Sequence, residues 1–217
     1  MQDYQRGFIE FAIAQGALLF GEFKLKSGRL SPYFFNSGKF DDGAAIAGLG
    51  RYYAAAIVDS GIDFDMLYGP AYKGIPLAVA TAAALNDNHG RNVPFAFNRK
   101  EAKQHGEGGN IVGRALKGRV LIIDAVISAG TSVRESVEII HQAGAQVAGA
   151  AISLDRQERG TDRRFAIEEV ETTYGISVAS VVNLGTLIEY LTEQPGMKTA
   201  LERIRAYQRE YGRTAGA

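Results

Sequence analysis

The chain has no cysteine. Disulfides and thiolate metal sites are thereby excluded, and a reducing cytoplasm is the expected setting. It has no surplus of either charge, since 24 Lys and Arg balance 24 Asp and Glu. A surface built to neutralise phosphates would leave a basic excess, so neither nucleic acid nor an anionic membrane is an expected partner. No apolar run approaches the roughly 18–20 residues of a membrane helix. The opening MQDYQRGFIEFAIAQG carries Asp3 and Glu10 inside its apolar pattern and reads as neither a secretory signal nor an anchor. Repeats, low-complexity tracts and long runs of like charge are missing. So are two familiar nucleotide loops: no G-x-x-x-x-G-K-S/T and no G-x-G-x-x-G follows any expected strand.

What remains is an ordinary globular composition over 217 residues, 46% hydrophobic and 22% charged. That length suits one domain, 1–217, burying roughly 70–75% of its unfolded surface. Glycine is the exception, with 26 residues, about 12% against a usual level near 7%. The glycines cluster in a few loops.

Periodicity sets the frame for those loops. Phe8, Phe11, Ala12 and Leu19 recur near helical spacing over residues 4–19. Phe23 to Lys26 then alternates like a strand, turns at Ser27-Gly28 and resumes through Tyr33-Phe34-Phe35, a hairpin whose Pro32 marks an edge. From residue 44 onward helix and strand alternate. Helices are predicted over Ala44 to Ser60, over Ile75 to Leu85, and through Val133, Val137 and Ile140 as far as Gly144. Strands are predicted at Met66 to Tyr68, Val93 to Phe97, Val120 to Ile123, Val147 to Leu154 and Ser177 to Leu184, with helices from Thr186. This is an α/β pattern, a parallel sheet flanked by helices. Ligands of such sheets sit outside the carboxyl ends of the strands.

Four segments carry candidate chemistry. In VLIIDAVISAGTSVRES, residues 120–136, a buried strand ends at Asp124 and small residues lead into a helix. Such a loop admits a ligand close to the backbone, and the helix start offers unpaired N–H groups to a phosphate. From spacing alone, Thr131 or Ser132 capping the helix and Asp124 bracing a turn explain the pattern equally well. Gly69-Pro70-Ala71-Tyr72-Lys73-Gly74 makes a reasonable pyrophosphate cradle, or an ordinary turn with a solvated lysine. Residues 98–113 hold Arg99, Lys100, Lys103, His105 and four glycines with almost nothing to bury, which predicts a mobile cationic loop. His105 is not at ligand spacing with His89 or His141, so no histidine metal site is expected. Phe34, Phe35 and Arg156 suit a flat carboxylated ring, by stacking and by bidentate pairing, although taken singly each also reads as core or surface.

The first of these segments resembles the phosphoribosyl pyrophosphate (PRPP) signature of type I phosphoribosyltransferases. GEFKLKSGRLSPYFFN, GPAYKGIP, FNRKEAKQHGEGGNIVG and ISLDRQERG resemble further segments of the bacterial orotate phosphoribosyltransferase family, in the same order over residues 21–160. The resemblance implies the type I phosphoribosyltransferase fold with a small N-terminal hood of helix and hairpin, mainly 1–40, and a lid at about 98–113. It implies a homodimer sharing its lids, Mg²⁺ held mainly by ligand oxygens and water, and transfer of phosphoribose from PRPP to orotate. By the same resemblance Lys103 and Asp124 are catalytic. PRPP contacts fall to Lys26, Tyr72, Lys73, Arg99, Lys100, Lys103 and His105. They continue through the signature itself, Asp124, Ala125, Val126, Ile127, Ser128, Ala129, Gly130, Thr131 and Ser132, with the 5′-phosphate on the amides of 129–132. Orotate contacts fall to Phe34, Phe35, Ser128 and Arg156. A non-proline cis peptide in the Tyr72 loop also belongs to the pattern.

One position departs from it. The signature has two adjacent acids, and this chain has Asp124 followed by Ala125. Two rival functions stay open at this level: a sister enzyme using a purine or uracil, and a PRPP-sensing regulator without activity.

Overall fold

The computed structural model describes residues 1–25, 27–103, 109–127, 130–159 and 165–212, except the side chains of 102, 103 and 109. Helix α1 (Asp3–Ala14) is shorter than the apolar spacing predicts. Gly16, at φ +64°, turns the chain through the left-handed region, and Leu18 to Phe20 begin a strand instead. Strand β1 (Leu18–Lys24) pairs antiparallel with β2 (Leu30–Phe35) as a separate two-stranded sheet. Phe20 faces Tyr33 and Phe23 faces Ser31, so Pro32 lies opposite a bulge at Gly21-Glu22. A residue with no N–H costs the ladder nothing there. A ring cluster of Phe8, Phe11, Phe35, Phe40 and Tyr52 ties this hairpin to α1 and to α2 (Gly43–Ser60).

The main sheet contains β3 (Met66–Gly69), β4 (Phe95–Lys103), β5 (Gly109–Gly113), β6 (Arg119–Ile123), β7 (Gln146–Asp155) and β8 (Ser177–Asn183). Its order is β5-β4-β3-β6-β7-β8, and only β4 and β5 run antiparallel. Apolar residues alternate between its faces. Leu67, Leu121 and Ile123 pack under α2 and α3 (Gly74–His89), while Met66, Tyr68, Val120 and Ile122 pack under α4 (Thr131–Gln142) and α5 (Ala166–Tyr174). A strand covered on both faces shows this unbroken apolar run. Helices α6 (Leu184–Thr192) and α7 (Lys198–Tyr211) follow β8, α6 packing on α1 and α7 on β2. Among the described residues no helix is long and apolar enough to cross a membrane.

Two elements differ from the periodicity reading. Residues 98–103 and 109–113, expected as a loop, are the arms of an antiparallel ribbon in which Asn98 faces Ile111 and Lys103 faces Gly109. Strand pairing holds the backbone there, and although Ile111 packs against the core, the segment offers too little apolar alternation to read. Helix α5 was not predicted at all, because Val170 is its one buried residue among those described.

From β3 the chain passes through α3 to β4 on one side, and from β6 through α4 to β7 on the other. The strand order therefore reverses between β3 and β6, and the crevice at their carboxyl ends is the natural ligand position.

Candidate active site

The loop after β3 lies against the end of β6 so tightly that side chains are excluded. A Cβ on Gly69 would fall 2.2 Å from the Gly74 carbonyl oxygen, and one on Gly74 would fall 2.8 Å from that of Ile123. The Ala71–Tyr72 peptide between them is cis. The Ala71 N–H donates to Asn98 Oδ1 on β4 at 2.8 Å. Tyr72 projects outward, 67% exposed, with the Lys100 ammonium 5.2 Å from its ring centre. Thus β3 supplies Tyr72 and Lys73, and β4 brings Arg99 and Lys100 alongside. Arg99 Nη1 is buried and meets no acceptor among the described residues. Asn98 is a residue that sequence reasoning missed as a brace, since its partner lies 27 positions away.

The loop after β6 starts at Asp124, whose N–H donates to the Ala151 carbonyl at 3.0 Å. Its own carbonyl accepts from the Tyr53 hydroxyl at 2.7 Å. Tyr53 Oη is also 2.7 Å from Ser153 Oγ. One tyrosine proton cannot serve both oxygens, so Ser153 donates to Tyr53. The Asp124 carboxyl accepts from the Ala125 N–H at 2.7 Å. Burial pushes this carboxyl above its ordinary pKa, against the lowering pull of the Ser132 hydroxyl, the Ala125 amide and the Lys73 charge. Ala125 is 3% exposed and belongs to the core under α2, while Val126 is exposed and Ile127 packs toward the opposite core. Gly130, at φ +69°, precedes Thr131 and Ser132 at the start of α4.

The third group lies between the hairpin and the end of β7. Phe34 and Phe35 point to opposite sides. Phe34 is partly exposed and stacks on Phe23 at 5.5 Å, whereas the Phe35 ring packs against Phe8 and Phe40 in the core. Only one of the two rings thus faces outward as an aromatic wall. Arg156 lies over the Tyr33 ring at 4.1 Å and pairs with Glu158 at 2.6 Å. Its Nε is buried and meets no acceptor among the described residues. Lys26, His105, Ser128 and Ala129 lie outside the described residues, and Lys103 is described only by its backbone.

The doubly wound sheet carries the Gly69–Gly74 loop and the Asp124 loop at its switch point, and the phosphoribosyl transferase domain family matches residues 37–183. An orotate phosphoribosyltransferase of Enterobacter sp. (strain 638) is 60% identical over 212 residues, covering 98% of this chain and 100% of its own length. The corresponding protein of Pseudomonas aeruginosa is 59% identical over the same coverage. The crystal structure of orotate phosphoribosyltransferase from Francisella tularensis superposes with a TM-score of 0.87 at 41% identity, covering 95% of this chain and all of that one. The chain belongs to the orotate phosphoribosyltransferase family.

Proposed function

We propose that this protein transfers the 5-phosphoribosyl group of PRPP to orotate, yielding orotidine 5′-monophosphate and pyrophosphate in pyrimidine biosynthesis, in the cytoplasm. The observation that carries this reading is the tight Gly69–Gly74 loop packed against the end of β6 at the switch point, in a chain 60% identical over 98% of its length to an orotate phosphoribosyltransferase. A ring nitrogen forms the new bond to the anomeric carbon as the bond to pyrophosphate oxygen breaks, with inversion and through an oxocarbenium-like state. No protein nucleophile is needed. The protein positions the partners, stabilises leaving-group charge and excludes water.

The Tyr72-Lys73 loop cradles pyrophosphate, helped by Arg99 and Lys100, and the unpartnered Arg99 Nη1 supports an anionic neighbour. Asp124 accepts from a ribose hydroxyl, and the amides of 129–132 hold the 5′-phosphate. Lys26, Lys103 and His105 complete the PRPP contacts, with residues 98–113 acting as a lid over the partner's site in a homodimer and residues 1–40 forming the hood. Orotate lies against Phe34 and the Phe35 backbone, near Ser128. Its carboxylate pairs with Arg156, whose orphan Nε favours such an acceptor.

The described residues gather no three acid or histidine side chains into a metal cluster. A hard cation that keeps water and phosphate oxygens as ligands fits that donor set, with Asp124 as the nearby protein acid. When bound, Mg²⁺ neutralises charge on the departing pyrophosphate.

The test is turnover with PRPP and Mg²⁺, followed by pyrophosphate release. Orotate is expected to react, and uracil, adenine and hypoxanthine are not. Reaction with one of those bases, or none with any, overturns the assignment and revives the rivals, a sister enzyme or a silent regulator.

Ala125 gives a sharper expectation. A second acid would accept a ribose hydrogen bond, an interaction of roughly 1.5–3 kcal/mol for a charged partner. Ala125→Asp should therefore raise kcat/KM for PRPP by about tenfold or more. Sequence alone suggests little effect on folding, but the buried methyl changes that expectation. A carboxylate there is desolvated beside another acid, costing about 1–3 kcal/mol and lowering Tm by several degrees at roughly 2–4 °C per kcal/mol. Kinetics with PRPP varied, beside a thermal melt, checks both halves. Equal activity in the two forms would mean that the ribose is met another way.

A further inference from the structure

Glu158, two residues past Arg156, is held by groups from three parts of the chain. Its Oε1 lies 2.6 Å from Arg156 Nη2, and that same Nη2 donates to Ser31 Oγ at 2.9 Å. The Tyr33 hydroxyl donates to Oε1 at 3.4 Å, and the Tyr207 hydroxyl donates to Oε2 at 3.0 Å. Tyr207 stands on α7 with its ring edge-on to Tyr33, the ring that underlies the Arg156 guanidinium. The Arg156 and Glu158 side chains are only 22% and 11% exposed.

The backbone is built to match. Gln157, between the two charged residues, takes φ +49°, a left-handed value that non-glycine residues seldom adopt. Its N–H donates to Asp155 Oδ1 at 2.8 Å, and its side-chain oxygen accepts from the Gly185 N–H at 3.0 Å. The next residues are stitched to the end of α7. Arg159 N–H donates to the Tyr211 carbonyl at 2.9 Å, and Glu158 bridges Gly212. Arg29, stacked over Tyr211 at 4.7 Å, donates to the Arg159 carbonyl at 2.7 Å.

A buried ion pair is weak evidence for stability, because apolar residues of similar volume often serve as well. What this one does provide is orientation. A guanidinium pairs with a carboxylate through two coplanar donors, and a tilt of a few tens of degrees loses one of them. Tyr33 fixes the plane of Arg156, while Glu158 and Ser31 fix its rotation.

We propose that Glu158 and Tyr207 are positioning residues for Arg156, so that the C-terminal helix α7 sets the preference for a carboxylated base. The proposal rests on the reading that Arg156 pairs with the carboxylate of orotate. Both act through Arg156.

The test compares Glu158→Gln, Tyr207→Phe and Arg156→Ala. Tyr207→Phe removes one oxygen and keeps the ring, so it serves where Glu158→Gln folds poorly. Steady-state KM is measured for orotate and for PRPP, with uracil, which lacks the carboxylate, as competitive inhibitor. The expected result is an orotate KM raised about tenfold in Glu158→Gln and about threefold in Tyr207→Phe, as befits loss of one hydrogen bond to a charged group. The PRPP KM and the uracil Ki stay put, so the preference for orotate over uracil falls by the same factors. General damage to the fold would move all three constants together, and that result overturns the proposal. A raised orotate KM in Arg156→Ala with no change in the other two variants also overturns it, while sparing the reading of Arg156. If Arg156→Ala itself leaves the orotate KM unmoved, the reading and the proposal fall together.

Discussion

Replacing Lys103 by alanine is expected to lower kcat by about 10²–10³-fold, the usual cost of one donor aimed at developing charge. Negative charge grows on pyrophosphate as its bond to ribose stretches, and a cation delivered at that moment acts on kcat. Lys103 is the last residue of β4 and pairs through its backbone with Gly109, on the outer edge of the sheet. A change of side chain leaves that backbone pairing in place. Fold and melting temperature should therefore survive the change. Steady-state kinetics alongside circular dichroism checks both statements, and a near-normal kcat would remove Lys103 from the chemistry.

The second large effect is expected at Arg156. Arg156→Ala removes the guanidinium and with it the unpartnered Nε donor and its positive charge, and each hydrogen bond to a charged partner contributes roughly 1.5–3 kcal/mol. The KM for orotate should rise by about 10²-fold or more on that basis. The two variants also test whether lids are exchanged. In a mixed dimer, the site that keeps Arg156 receives an intact lid from its partner, and the other site receives neither group. Random assortment makes half the dimers mixed with one working site in each, so at orotate concentrations well below the raised KM mixing should restore about a quarter of full activity. If every site is built from one chain, mixing restores nothing.

What the sequence made legible follows from what periodicity and glycine report. Val120 to Ile123 announces a strand buried on both faces, and Asp124 at its end marks the edge of the crevice. Gly69 and Gly74 announce a close approach, which the contacts with each other and with Ile123 explain. The ribbon arms at 98–103 and 109–113 stayed hidden because they exchange backbone hydrogen bonds with little apolar alternation to announce them. Leu18 to Phe20 fitted either period, and the turn at Gly16 decided between them. The side chains that steady the site were illegible for another reason. Tyr53 reaches Asp124 across 71 positions, and Tyr207 reaches Glu158 across 49. Each reads locally as one more aromatic on an amphipathic helix.

The hairpin of β1 and β2 forms no ladder with the main sheet. Phe34 and Ser31 hang from the small sheet, whereas Tyr72, Lys73 and Asp124 hang from the large one. Mutations that reshape the hairpin therefore leave the register of β3 and β6 untouched. In evolutionary terms the hairpin's share of the site is separately heritable. A lineage can rewrite β1 and β2 while β3, β6 and the Arg156 end of β7 stay under unchanged selection.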